Sequence, residues 1–128
     1  MMNQLLLVKK MKKAVFFLNK KQGPVALFML KPFDADMDTG WQIIASAAGY
    51  DRLSTKAAIK HLLDILKTNL NQNILGSIIH VAVLKTKDPF VLAMNRTFKV
   101  RNAPKHIQSV SLSGIQIENA LVFECPGM

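Results

Sequence analysis

The apolar residues between positions 54 and 71 recur at the spacing of one helical face, and this pattern constrains the fold more than any other. A helix this long with a single apolar stripe must bury that stripe against another element. Ser54 or Thr55 can cap its first free N–H groups. The stripe consists of Ile59, Leu62, Leu63, Leu66 and Leu70, and the solvent side carries Lys56, Lys60, Asp64 and Lys67.

Short apolar runs bounded by turn residues predict strands on which this helix can pack. The runs 25–30 and 41–46 are joined by residues 31–40, so we expect them to be antiparallel neighbours. The run 77–84, SIIHVAVL, is apolar on both faces and rich in β-branched residues. That composition is typical of a central strand covered on both sides.

Two further strands and a short helix are predicted in the C-terminal third. Asp88-Pro89 favours a helix start, with Asp at the N-cap and Pro at the first helical position, and the helix ends near residue 99. The runs 107–112 and 115–124 read as strands that are joined, or bulged, near residues 113–114.

Residues 2–19 allow two interpretations. In the first they form a helix, with a stripe made of Leu7, Met11, Ala14, Val15 and Leu18. In the second, residues 14–18 form a strand, residues 20–24 a turn, and residues 25–30 the hairpin partner. We favour the helix because most of the neighbouring lysines fall off its stripe.

These elements predict an α/β chain of the α+β type. We expect a single mixed, mostly antiparallel sheet of four to five strands with two to three helices packed on it. The length predicts one domain, residues 1–128, that includes the basic N-terminal segment 1–21 and ends in a short tail, 125–128.

The stretch DADMDTGW, which begins at Asp34, resembles the start of a calcium loop. An EF-hand loop needs glycine at position 6 and a carboxylate at position 12. Counted from Asp34, those positions hold Thr39 and Ala45, and the flanking residues read as strands. We therefore expect a solvated loop whose Asp side chains accept turn hydrogen bonds.

The charge balance predicts attraction to polyanions. Seventeen Lys and Arg against eight Asp and Glu give a net charge of +9. Only three of these cations are Arg, so any nucleic-acid contact should involve phosphates with little reading of base edges. The candidate polyanion-binding residues form two segments: Lys9, Lys10, Lys12, Lys13, Lys20 and Lys21, and then Lys85, Lys87, Arg96, Lys99, Arg101 and Lys105.

A different class of function fits the same charges. Residues 34–51 hold four acids and no base, so opposite charges are segregated along the chain. With half the residues hydrophobic, this pattern also suits an interaction or scaffold protein that binds an acidic protein or forms a homodimer. The same charge runs are also typical of solvated faces, for which no partner is needed.

No motif for catalysis, metal or cofactor binding is present, and we assign none, so the sequence favours a non-enzymatic protein. His80 reads as a hydrogen-bonded core histidine, His106 as exposed, and His61 as lying at a helix boundary. Phe16, Phe17 and Phe28 fit the core better than a surface on which bases stack. The sequence also allows a site assembled from residues far apart in the chain, such as Asp51 or Asp64 with His80.

The single cysteine and the short apolar runs bear on location. Cys125 cannot form an intramolecular disulfide, which suits a reducing compartment, and its place near the terminus suits a structural or frayed thiol. The N-terminal apolar runs, 5–8 and 14–18, are shorter than a signal-peptide core, and no run approaches a membrane span. These features predict a soluble cytoplasmic protein.

Overall fold

The computed structural model describes residues 4–32, 40–101 and 104–127. Its elements are, in chain order, α1 (Gln4–Gln22), β1 (Val25–Pro32), β2 (Trp41–Ala47), a 3₁₀ helix (Ala48–Arg52), α2 (Thr55–Asn69), α3 (Gln72–Gly76), β3 (Ile78–Val83), α4 (Pro89–Thr97), β4 (Lys105–Leu112) and β5 (Ile115–Glu124).

The strands form one mixed five-stranded sheet in the order β3-β2-β1-β5-β4. The β1–β2, β1–β5 and β4–β5 pairs are antiparallel, whereas β2 and β3 are parallel. Parallel neighbours need a crossover connection, and here α2 and α3 supply it. The predicted fold class and the antiparallel pairing of β1 with β2 are confirmed; the short α3 was not predicted.

Helices cover both faces of the sheet. On one face α1 and α2 bury a cluster that includes Leu18, Leu62 and Phe28. On the other face α4 packs Phe90 and Met94 against the sheet. All five residues of the predicted α1 stripe are buried, so the helical interpretation of this segment is confirmed and the hairpin alternative is wrong.

Local hydrogen bonds define where these elements begin. Ser54 Oγ accepts from Ala57 N at 3.1 Å and caps α2, as predicted. Asp88 Oδ1 accepts from Phe90 N at 2.8 Å and caps α4. The β4–β5 turn is made by Ser113 and Gly114, whose φ values of 51° and 79° are those of a two-residue hairpin turn.

The prediction that residues 77–84 form a central strand is wrong, because β3 lies at the edge of the sheet. Its apolar residues do pack towards both faces: Val81 and Val83 contact the cluster under α1 and α2, and Ala82 contacts the cluster under α4. The two-sided apolar pattern therefore indicates that both faces of the strand are covered. It does not indicate whether the strand has hydrogen-bonded neighbours along both of its edges.

No helix within the described ranges combines the length and the apolar character needed to cross a membrane.

Candidate functional site

A groove of about 580 Å³ lies between α1 and the C-terminal end of β5, and we call it the α1 groove. One wall of the groove comes from α1. The other comes from β5 and from Arg101, which follows the bridge between Val100 and Cys125. The groove combines two cations, a carboxylate, an amide and aromatic rings. Its lining residues are Lys12, Val15, Phe16, Asn19, Arg101, Phe123 and Glu124.

The outward side of α1 carries three of the six lysines of the first basic segment. Lys9, Lys13, Phe16 and Lys20 follow the spacing i, i+4, i+7, i+11, which places them on one stripe opposite the buried one. All four side chains are exposed, and we call this stripe the outer face of α1. Because the helix contains no Asp or Glu, the potential over this face is positive.

The two walls of the groove are held by contacts within the fold. Asn19 Oδ1 accepts from Val25 N at 3.0 Å, which ties the last turns of α1 to the start of β1. The buried Phe123 ring meets Phe28 edge-to-face, with centroids 6.2 Å apart. A ligand in the groove would therefore meet a preformed surface, which lowers the entropic cost of binding.

Arg101 and Glu124 form an ion pair in the groove, with Nε 3.5 Å from Oε2. The Arg101 side chain is 58% exposed, so its guanidinium can still reach a ligand, whereas Glu124 is only 15% exposed. Partial burial raises the pKa of Glu124, and the nearby charge and hydrogen bond of Arg101 oppose that rise.

Of the second predicted basic segment, only Arg101 lines the α1 groove. Arg96 belongs to α4, which covers the opposite face of the sheet. Lys85 Nζ donates to the carbonyls of Tyr50, Asp51 and Leu53 at 3.4, 3.1 and 2.8 Å. Its ammonium is thus occupied by hydrogen bonds to carbonyls in and directly after the 3₁₀ helix.

The remaining predicted cations are spread over the surface. Lys105 Nζ lies 5.6 Å from the centroid of the Phe98 ring, a cation–π contact. Lys10 is half-buried, while Lys21, Lys87 and Lys99 are exposed outside the groove. Of the twelve predicted cations, Lys12 and Arg101 are the two that line the α1 groove together.

The three histidines make hydrogen bonds of different kinds. The expectation of a core histidine at position 80 is wrong, since His80 is exposed on the edge strand and its Nδ1 contacts Gln42 Nε2 at 2.8 Å. His106 is exposed, as predicted, and contacts the side chain of Asn119. His61 is half-buried and its Nδ1 lies 2.8 Å from the hydroxyl of Tyr50.

Cys125 is buried and takes part in a backbone bridge with Val100, so its role is structural and not that of a frayed tail. Burial raises the pKa of its thiol to about 11. Within the described ranges, no three His, Cys, Asp or Glu side chains are grouped closely enough to hold a metal ion. The aspartates at positions 34, 36 and 38 lie outside those ranges.

Phe16 is a candidate for this site, and the prediction that it lies in the core is wrong. It is 62% exposed, whereas Phe28 is fully buried and Phe17 is partly buried against the core. The spacing could have revealed it, because position 16 falls on the stripe of Lys9, Lys13 and Lys20. Glu124 and Phe123 were missed because only the tertiary fold brings them to α1.

Comparisons with protein families, with curated proteins and with solved structures find no match for this chain. Any function must therefore be argued from the groove and the charged face themselves.

Proposed function

We propose that this chain binds nucleic acid through the outer face of α1 and the α1 groove, by contacts to the phosphate backbone that do not read sequence. The observation that carries the proposal is that Lys12 and Arg101, from two separate basic segments, line one groove. Lys9, Lys13 and Lys20 extend the positive surface along the helix. Lysines act as point charges and suit phosphate contacts, whereas reading of base edges relies on planar groups.

The net charge of +9 supports a polyanion as the partner, because nucleic acid releases its condensed counterions when cations replace them. An affinity on the order of 10 µM at physiological salt is typical of such binding. The affinity should fall as salt is raised, by about 0.7 log units per log unit of salt for each phosphate contact on a single strand.

The test compares two triple variants that remove the same charge in the same geometry. Lys9, Lys13 and Lys20 on α1 have the spacing i, i+4, i+11, and the exposed Lys56, Lys60 and Lys67 on α2 repeat it. Each set is changed to Gln, and binding to labelled 20-nucleotide DNA and RNA is followed by fluorescence anisotropy over a salt series. The α1 variant should bind more weakly and lose about two units of salt slope.

Equal losses in both variants would mean that net charge alone, and not the α1 surface, governs the binding. Absence of binding by the unmodified protein at low salt would refute the proposal.

The alternative of a homo-oligomeric interaction protein has its own support in β3. This edge strand is mostly apolar, and its Ile79 is 45% exposed. Edge strands of this kind can pair with another chain. Molar mass measured by light scattering, for the native chain and for Ile79→Lys, tests this alternative: a dimer that the substitution converts to a monomer would support it, and a native monomer would not.

A further inference from the structure

Phe16 is an exposed aromatic ring in the middle of a lysine-rich surface. At 62% exposure, it is the most exposed of the large hydrophobic side chains in the described part of the chain. It lies one helical turn from Lys12 and one turn from Lys20, about 6 Å along the axis in either direction. A phosphate-binding surface alone does not need a ring at this position.

The orientation of the ring leaves it open to a ligand. Phe16 meets Phe17 edge-to-face, with centroids 5.7 Å apart and an angle of 83° between the rings. In either T-shaped arrangement at least one face of Phe16 is not covered by Phe17. Since Phe17 packs against the core, it also restricts the motion of its neighbour. The result is a largely exposed ring with at least one face that Phe17 does not cover.

The groove beside this ring has cations on both walls. Lys12 stands on the α1 wall and Arg101 on the sheet wall, so a chain of phosphates could run between them. A volume of about 580 Å³ lies within the range of about 300–1,000 Å³ that encloses small organic ligands. That size suits nucleotide units of a flexible strand better than a rigid duplex.

Resting on the proposed function, we infer that this site binds single-stranded in preference to double-stranded nucleic acid, with Phe16 stacking on an unpaired base and Lys12 and Arg101 contacting the flanking phosphates. Base–aromatic stacking tolerates any sequence because every base has a π-face. In a duplex those faces are already stacked on neighbouring bases, so Phe16 gains nothing there. A single-stranded partner explains the ring and the lysines together.

The test uses Phe16→Leu, which keeps an apolar helix-forming side chain but removes the ring, and Phe16→Trp, which keeps a ring. Both are compared with the native chain for binding to oligo-dT, to single-stranded RNA, to a DNA duplex of equal length, and to heparin, a polyanion without bases. Phe16→Leu should weaken single-strand binding about tenfold and leave duplex and heparin binding unchanged. Phe16→Trp should retain single-strand binding, and its indole fluorescence should be quenched by single strands but not by duplex.

Three results would overturn the inference: duplex binding as tight as single-strand binding, an equal effect of Phe16→Leu on every ligand, or no effect of Phe16→Leu on single strands. In each of these cases a selective loss in the α1 lysine variant would leave the proposed function standing. Comparison of the DNA and RNA strands then shows whether the 2′-hydroxyl contributes. Circular dichroism and the melting temperature should be unchanged in both variants, because the ring is largely outside the core.

Discussion

Glu124 places a carboxylate beside the guanidinium of Arg101 in the α1 groove, with Oε2 3.5 Å from Nε. This carboxylate opposes an incoming phosphate and competes with it for Arg101. The ion pair therefore sets how much of the positive charge in the groove is available to a ligand.

Replacing Glu124 by Gln should strengthen nucleic-acid binding. Removing one charge at about 4 Å is worth about 1 kcal/mol in water, or about a fivefold lower Kd. The native protein should also bind more tightly as the pH falls through the raised pKa of Glu124, because protonation neutralises the carboxylate. Anisotropy titrations over a pH series measure both effects.

The matched control is Glu118→Gln, which makes the same charge change at an exposed position of the same strand. Glu118→Gln should change the affinity less than Glu124→Gln does. Binding by Glu118→Gln should keep its pH dependence, whereas binding by Glu124→Gln should lose it. Equal effects of the two substitutions would show that the carboxylate in the groove has no special influence.

The Tyr50–His61 contact should stabilise the packing of the 3₁₀ helix on α2. Tyr50 is almost fully buried, and burial raises the pKa of its hydroxyl, which stays protonated and can donate to His61 Nδ1 at 2.8 Å. Tyr50→Phe leaves that nitrogen without this partner and should lower the free energy of unfolding by about 1 kcal/mol. Urea denaturation measures the change; nucleic-acid affinity should stay the same, and an unaltered urea midpoint would contradict the prediction.

Lys85 should contribute to stability and not to binding. Its ammonium donates to three carbonyls at the end of the 3₁₀ helix, so Lys85→Met should cost about 1–2 kcal/mol of unfolding free energy. Lys87→Met, at a nearby exposed position, is the control and should be close to neutral. Chemical denaturation of the two variants side by side provides the measurement. Similar stabilities would mean that the three contacts contribute little.

Cys125 should react slowly with thiol reagents while the chain is folded. With a pKa of about 11, its thiolate fraction at pH 8 is roughly a hundredfold or more below that of an exposed cysteine. Burial slows the reaction further. Labelling by iodoacetamide at pH 8 should therefore be slow in native buffer and fast in guanidinium chloride. Native labelling at the rate of a free thiol would show that the bridge to Val100 opens readily.

Much of the secondary structure follows from the sequence because its causes are local. The stripe of α1, the cap at Ser54, the Asp88-Pro89 start and the hairpin at Ser113-Gly114 each depend on residues within a few positions of one another. Spacing also holds the information that Phe16 shares the exposed stripe of the lysines. Because aromatic side chains are usually buried, Phe16 was predicted to lie in the core in spite of this spacing.

The candidate site depended on contacts between residues far apart in the chain. Lys12 and Arg101 share a groove because β5 pairs with β1 beneath α1, and the bridge between Cys125 and Val100 holds Arg101 beside the end of β5. Likewise, only the folded chain shows that Lys85 is committed to carbonyls and that β3 lies at an edge. Periodicity and capping determine which segments become helices and which become strands. The order of the strands, and which distant charges come together, are decided by packing of the whole chain, because no local pattern encodes them.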